Sequence, residues 1–307
     1  MIDRATQVSG PRLSVVIPHL NQPQLLARCL AALAAGTRPP DEVIVVDNGS
    51  GALPEAICAA HAGVRLLSEP TPGPGPARNA GVAAATGDIL AFIDADCIPD
   101  PGWIEAIHAA FKDASAEVVG GDVRIDCADP ARPTLLEAYE SVYAYRMDRY
   151  IAEKGFTGTG NLAVRRTVLD TVGHFAGLDV AEDRDWGQRA TRAGHDLRYV
   201  PAMRVYHPAR KSFAELARKW DRHTAHDFAG FRTRPGGRVL WALRTIAVAL
   251  SPPAELPRIL MSDRISGPRA RALAWIGLAR IRFHRAAIML KLLGGADAAA
   301  LSGQWNR

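Results

Sequence analysis

Asp88-Ile-Leu-Ala-Phe-Ile-Asp94-Ala-Asp96 is the stretch on which the fold turns. Its unbroken apolar run, closed by acids, reads as a strand buried on both faces of a sheet. Leu13-Ser-Val-Val-Ile-Pro18 and Glu42-Val-Ile-Val-Val-Asp47 upstream have the same character, and Val64–Leu67 is a shorter example. Between these strands, 22–35 carries leucines at helical spacing (25, 26, 30 and 33), and 53–60 and 77–85 also read as helices, the last after a stiff Thr71-Pro-Gly-Pro-Gly-Pro76 loop. Strand alternating with helix predicts an α/β fold, a mixed and mostly parallel sheet with helices on both faces.

Downstream the rhythm changes. Helices are expected over 104–111, 133–151, 184–193 and 212–230, and strands over 117–125, 161–164, 197–200 and 203–206. Beyond Pro235-Gly236-Gly237 only helices follow, so the chain divides into a catalytic domain over 1–232 and a basic helical C-terminal extension over 233–307. Of the chain's 37 Lys/Arg and 32 Asp/Glu, residues 233–307 hold 12 and 3, a local balance of +9. A basic, apolar tail of this kind suits an anionic surface. Leu273, Ile276, Phe283 and Leu290 fall on one helical face, with Arg271, Arg282 and Arg285 opposite, the pattern of a helix lying in a membrane interface.

Composition narrows the class. The 307 residues are 48% hydrophobic and 22% charged, ordinary for a globular protein. Met1 to Gly10 lacks the apolar core of a signal peptide, and no stretch reaches the length of a membrane span. Four single cysteines, 29, 58, 97 and 127, argue against a zinc site or a disulfide framework and fit a reducing cytosol. The expected location is cytoplasmic, with peripheral contact on the inner face of the membrane. No recognition motif for nucleic acid occurs in the tail. The Pro/Gly loop is not a P-loop, and no G-x-G-x-x-G follows the first strand.

Ligands bind open α/β sheets beyond the carboxyl ends of the strands. Three polar clusters fall there: His19-Leu20-Asn21, Asp47-Asn48 and Asp94-Ala95-Asp96. If the strand continues, Asp94 and Asp96 point the same way. Two adjacent carboxylates repel unless a cation separates them, and hard oxygens suit Mg²⁺ or Mn²⁺. Arg78, near a helix start, is placed for an anion. Glu182-Asp183-Arg184-Asp185-Trp186 supplies carboxylates either to cap a helix or to act as a general base.

Five stretches together resemble the family 2 glycosyltransferases of the GT-A (Rossmann-like) fold: Ser14-Val-Val-Ile-Pro18, Val45-Val-Asp47-Asn-Gly-Ser50, Ala77-Arg78-Asn79-Ala-Gly81, Phe92-Ile-Asp94-Ala-Asp96 and Glu182-Asp183-Arg-Asp185-Trp186. The resemblance covers about Leu13 to Tyr206. It implies inverting, metal-dependent transfer of a single sugar from a nucleotide-diphosphate sugar to a hydroxyl of a saccharide or lipid-linked acceptor, in cell-surface polysaccharide or glycolipid synthesis. On that resemblance Asp183 is the base. Pro18, Asn21, Asp47, Arg78, Asp94 and Ala95 line the donor, and Asp96 holds Mg²⁺ or Mn²⁺ with His207 as a further contact. Asn161, Glu182 and Trp186 face the acceptor. Two departures stand out: Leu20 occupies a position where relatives often carry an aromatic residue, and Leu216-Ala-Arg-Lys219-Trp220 lacks the Gln and Arg of the processive synthases' Gln-x-x-Arg-Trp motif. The alternatives are a sugar-phosphate nucleotidyltransferase, whose Gly-rich basic first loop is missing here, and a non-catalytic nucleotide-sugar binding protein.

Overall fold

The structure, a computed structural model, describes residues 10–178 and 180–297; the reading of Met1 to Ser9 lies outside them. In chain order the elements are β1 (Leu13–His19), α1 (Pro23–Ala34), β2 (Glu42–Asp47), α2 (Glu55–Ala59), β3 (Val64–Ser68), α3 (Pro74–Ala84), β4 (Ile89–Ile93), β5 (Ile98–Pro99), α4 (Trp103–Ala110) and β6 (Val118–Asp126). There follow α5 (Leu135–Tyr143), α6 (Met147–Lys154), β7 (Asn161–Arg165), α7 (Arg166–Val172), α8 (Glu182–Arg192), β8 (Leu197–Pro208), α9 (Phe213–Arg232), α10 (Gly237–Leu250), a 3-10 turn (Pro252–Glu255), α11 (Leu256–Leu260) and α12 (Gly267–Leu293).

Two compact units result. The first comprises the described residues up to Arg124 with Tyr145–His207; the second comprises Ile125–Ala144 and the described residues from Pro208 on, which include the basic stretch after 232. The eight strands run in the order β3-β2-β1-β4-β7-β6-β8-β5. From β3 to β4 neighbouring strands are parallel, while β7 is antiparallel to both β4 and β6, so the sheet is mixed.

The alternation within each strand explains the apolar runs. Val15 and Ile17, Val43 and Val45, and Ala91 and Ile93 enter one hydrophobic cluster with Leu26, Leu30 and Trp103 from α1 and α4. Val16, Ile44, Val46, Leu90 and Phe92 enter the other, with Ala77 of α3 and Trp186 of α8. Successive side chains point to opposite faces, and both are covered by helices. The small residues of α3 follow from the same packing: a Cβ on Gly81 would lie 2.3 Å from Val16 Cγ1.

Three expectations change. The proposed loop Thr71–Pro76 runs into α3, which begins at Pro74, because proline at the first helical position loses no hydrogen bond. The two strands expected over 197–206 are one, β8. The long helix expected over 133–151 is two: α5 stops at Tyr143 and α6 starts at Met147, with Tyr145 between them at φ 49°, a left-handed conformation that ends any right-handed helix.

In the second unit Tyr139 of α5 packs with Leu216, Ala274, Leu278 and Ile281, and Phe228, Trp241, Val248 and Met289 form a further cluster. Gly277 lets α12 approach α5, since a Cβ there would lie 2.8 Å from that of Tyr139. The buried Glu140 pairs with the half-buried Arg210.

Asn161, at the start of β7, is fully buried and fully engaged. Its Oδ1 accepts from Trp103 Nε1 at 2.9 Å, and its Nδ2 donates to the carbonyls of Asp122 and Met203, each at 2.9 Å. Asn161→Ala leaves three buried polar groups unpaired and is expected to cost about 4 kcal/mol of stability. Urea unfolding measures this, and a cost under about 1 kcal/mol would show that the network carries little.

Candidate active site

The carboxyl ends of β1, β2 and β4 meet at one edge of the sheet. β1 ends at His19 and β2 at Asp47, a directly paired couple in the parallel register. Their side chains, both buried, are linked by His19 Nδ1 and Asp47 Oδ1 at 2.9 Å. The Gln22 N–H donates to His19 Nε2 at 3.2 Å. That bond assigns the tautomer, with the proton on Nδ1 and directed at Asp47. Asp47 Oδ2 accepts from the N–H groups of Gly49 (3.2 Å) and Ser50 (3.0 Å). Burial works against its charge, but the hydrogen bonds from Ser50 and His19 hold the Asp47 carboxyl below the usual range. Asn21 takes a left-handed conformation, φ 53°, and its Oδ1 accepts from Gly51 N–H at 3.0 Å. The two loops are therefore tied into one wall, with Pro18 half-buried and Leu20 half-exposed beside it.

Arg78 joins the second half of the edge. Only 2% exposed, it donates from Nη2 to Asp94 Oδ1 at 2.6 Å and from Nη1 to Glu182 Oε1 at 2.9 Å. Its Nε is buried without a partner. Asp94 and Glu182, 88 positions apart, are thus clamped on one guanidinium. Asn79 adds a second tie, bonding both N–H and C=O of Phe175 at 2.9 Å.

The loop before β7 closes on the same place. A Cβ on Gly160 would lie 2.5 Å from Asp94 Oδ2, and one on Gly158 would lie 4.0 Å from Asp183 Oδ2. Asp183 and Asp94 therefore border one loop. Burial, then the charge of Glu182, raises the Asp183 carboxyl above the ordinary Asp range, against the Arg184 N–H that donates to it at 2.6 Å. Glu182, Asp183 and Asp185 occupy the first turn of α8, whose N-cap is Ala181 with no side-chain cap, so the helix begins two residues earlier than the spacing suggested. Carboxylates there still meet the positive end of the helix.

Asp96 sits 3.4 Å from His207 Nε2. Burial raises its carboxyl, His207 opposes that, and Asp94 raises it further. Tyr145, held left-handed, places its hydroxyl 3.1 Å from His207 Nε2, and the two rings stand 4.6 Å apart between centroids. Among the described residues no group of three or more His, Cys, Asp or Glu forms a complete metal cage.

Several site expectations need correction. β4 ends at Ile93, so Asp94, Ala95 and Asp96 lie in the following turn, where strand alternation no longer applies: Asp94 turns to Arg78 and Asp96 to His207. The methyl of Ala95 is buried in the hydrophobic cluster under the sheet rather than lining a donor. Trp186 is buried among the α8-side cluster, its Nε1 donating to Gly173 O at 3.0 Å, and offers no ring face to an acceptor. Asn161 has its amide fully committed inside the core and does not reach a sugar hydroxyl. His19 and Tyr145 went unassigned from sequence; His19 stood in a quoted cluster, whereas Tyr145 gave no signal.

A doubly covered α/β sheet with polar clusters at three strand tips, two of them acidic, has the form of a ligand-binding α/β domain. Residues 14–186 match the model of glycosyl transferase family 2. The chain is 33% identical over 246 residues to the glycosyltransferase AglE of Haloferax volcanii, covering 78% of this chain and 77% of that one. It is 31% identical over 232 residues to the pre-mycofactocin glycosyltransferase of Mycobacterium tuberculosis, covering 69% of this chain and 46% of that longer protein. Among solved structures, the mannosyltransferase PcManGT of Pyrobaculum calidifontis, in complex with GDP-Man and Mn²⁺, superposes with a TM-score of 0.58 at 18% identity, over 94% of this chain and 89% of that one. Glucosyl-3-phosphoglycerate synthase of Mycobacterium tuberculosis gives 0.50 at 24%, over 67% and 74%. These two likenesses establish the GT-A fold. The chain belongs to glycosyl transferase family 2 and is a glycosyltransferase.

Arg78→Met removes the one cation between Asp94 and Glu182. After discounting for the partly solvated Asp94, the expected loss is about 2–4 kcal/mol of unfolding free energy. A loss within about 0.5 kcal/mol of zero in urea would show the clamp to be idle.

Proposed function

We propose that this glycosyltransferase moves a single sugar, with inversion, from a nucleotide-diphosphate sugar to a hydroxyl of a saccharide or lipid-linked acceptor in cell-surface polysaccharide or glycolipid synthesis. The observation that carries the reading is the convergence of Asp183 and Asp94 on the Thr157–Gly160 loop, with Asp96 and His207 adjoining.

Asp183 is the base. Its raised pKa makes it the better proton acceptor, and its place beside the Thr157–Gly160 loop, across from Asp94, fits the role. As the acceptor oxygen bonds to the anomeric carbon, its proton passes to Asp183 and the bond from that carbon to the diphosphate oxygen breaks. Displacement from the opposite face inverts the configuration. Arg78 holds Asp94 and Glu182 in place for this step and is a positioning residue.

The Pro18–Asn21 and Asp47–Gly51 loops form the wall for the nucleoside. Asp47 acts there by ordering backbone, since His19, Gly49 and Ser50 already occupy its carboxylate. Asp96 and His207 are the residues that would hold Mg²⁺ or Mn²⁺: a carboxylate beside another carboxylate, with an imidazole nitrogen 3.4 Å away, suits such a cation. Such a cation, when bound, would supply charge neutralisation to the departing diphosphate. PcManGT with GDP-Man and Mn²⁺, and glucosyl-3-phosphoglycerate synthase with UDP and Mn²⁺, support this choice.

A thermal-shift panel of nucleotide sugars with Mn²⁺ or EDTA tests the donor side. One donor class is expected to stabilise the protein only with metal, and Asp96→Ala to abolish the shift; a metal-independent shift would remove Asp96 from the proposed role. For the acceptor side, Asp183→Asn is expected to lower kcat by about 10³-fold or more while the donor shift persists. Because the base must be ionised, kcat/KM of the native enzyme should fall as pH drops through a pKa above the ordinary Asp range. A flat acid limb would count against Asp183.

A further inference from the structure

α10 carries apolar residues on two opposite sides, with Arg238 and Arg244 on the flanks between them, yet only one of those sides is covered. Trp241, Thr245 and Val248 are buried, packed toward Phe228, Met289 and Leu292. The opposite side carries Val239, Leu243, Ile246 and Leu250 within a narrow arc, with Leu243 58%, Ile246 56% and Leu250 72% exposed. A soluble monomer rarely leaves such an apolar stripe bare, and an exposed stripe of this kind marks an interaction surface. The stripe continues past the break: Leu260 and Met261, at the end of α11, are exposed too, Met261 to 78%.

Three further observations select the occupant. No single described helix is long and apolar enough to cross a membrane, but Gly237–Leu250 and Pro252–Leu260 together meet the length and composition of a span while bending by 57° between them. Bent and packed on the unit along one side, the pair presents its exposed apolar residues to a surface rather than crossing a bilayer. The two charged residues between Ile246 and Met261 are neutralised within the unit, Glu255 lying 3.6 Å from Arg258 and 3.2 Å from Arg282. The surrounding stretch from residue 233 on carries its +9 balance. An exposed apolar stripe, internally paired charges and a net positive segment together match an anionic bilayer surface.

α12, the helix whose sequence pattern suggested this role, is differently used. Its Arg285 is buried over the Trp220 ring at 4.0 Å and its Arg282 is paired to Glu255, so neither faces outward to lipid. Ile276, Phe283 and Leu290 are exposed, but as single side chains seven residues apart.

We infer that α10 and α11 form a shallow wedge that docks the protein on an anionic lipid leaflet. The inference stands on the helical unit alone and does not depend on the transfer chemistry above.

Flotation of the full chain with phosphatidylcholine vesicles, with and without phosphatidylglycerol, tests it. The native protein is expected to float, and more strongly on the anionic vesicles. Leu243→Glu combined with Leu250→Glu and Met261→Glu is expected to lower partitioning by about tenfold or more. Phe283→Glu on α12 should leave it nearly unchanged. The substituted side chains are exposed, and circular dichroism together with an unchanged donor thermal shift confirms that the variants fold. Equal flotation of the triple variant, no flotation of the native chain, or equal flotation on neutral vesicles overturns the inference. So does a dimer in light scattering that the triple variant dissociates without any vesicle binding, which would make the stripe a contact between copies. A missing donor shift in the native protein, by contrast, bears only on the transferase mechanism.

Discussion

The guanidinium of Arg78 holds the catalytic edge together. Asp94 follows the central strand and Glu182 opens a helix 88 residues later; without a cation between them their charges would push the two segments apart. Arg78 itself is buried, so neither its position nor its charge is negotiable. An arginine suits the place because its planar fork meets two carboxylates in fixed directions, whereas a lysine would offer only a point charge. Asp183, next in chain to Glu182, is positioned by the same clamp.

The apolar runs made the parallel half of the sheet legible, since a strand covered on both faces has to be apolar at every position. The three polar tips, two of them acidic, were legible because each closes such a run. Asp94 and Asp96 were found by their spacing, yet the reason given for their proximity does not hold: they sit in a turn and answer to different partners. Asn161 and Trp186 were misassigned for a related cause. Polar or aromatic residues near a site look the same in sequence whether they face ligand or core, and only the bonds from Trp103, Asp122 O and Met203 O in one case, and to Gly173 O in the other, tell them apart.

The break between α5 and α6 was invisible for another reason. Nothing in Ala144-Tyr145-Arg146 marks a helix end: there is no glycine, proline or cap. The tertiary contact with His207 overrides local preference there. The helical unit hid its arrangement similarly. Two helices of comparable apolarity competed for the outer position, and the pairing of Arg282 and Arg285 inside the unit decided which took it.

Tyr145 also carries a trade-off. Glycine would relieve its left-handed backbone, worth about 1–2 kcal/mol, but would delete the hydroxyl that steadies His207 beside Asp96. The ring of Tyr145 also packs against the core and stands 4.6 Å from that of His207, so a glycine would exchange this packing and the hydroxyl for relief of backbone strain. Ranking substitutions at this position by backbone comfort alone would misjudge them, because one side chain serves the turn, the core and the histidine together.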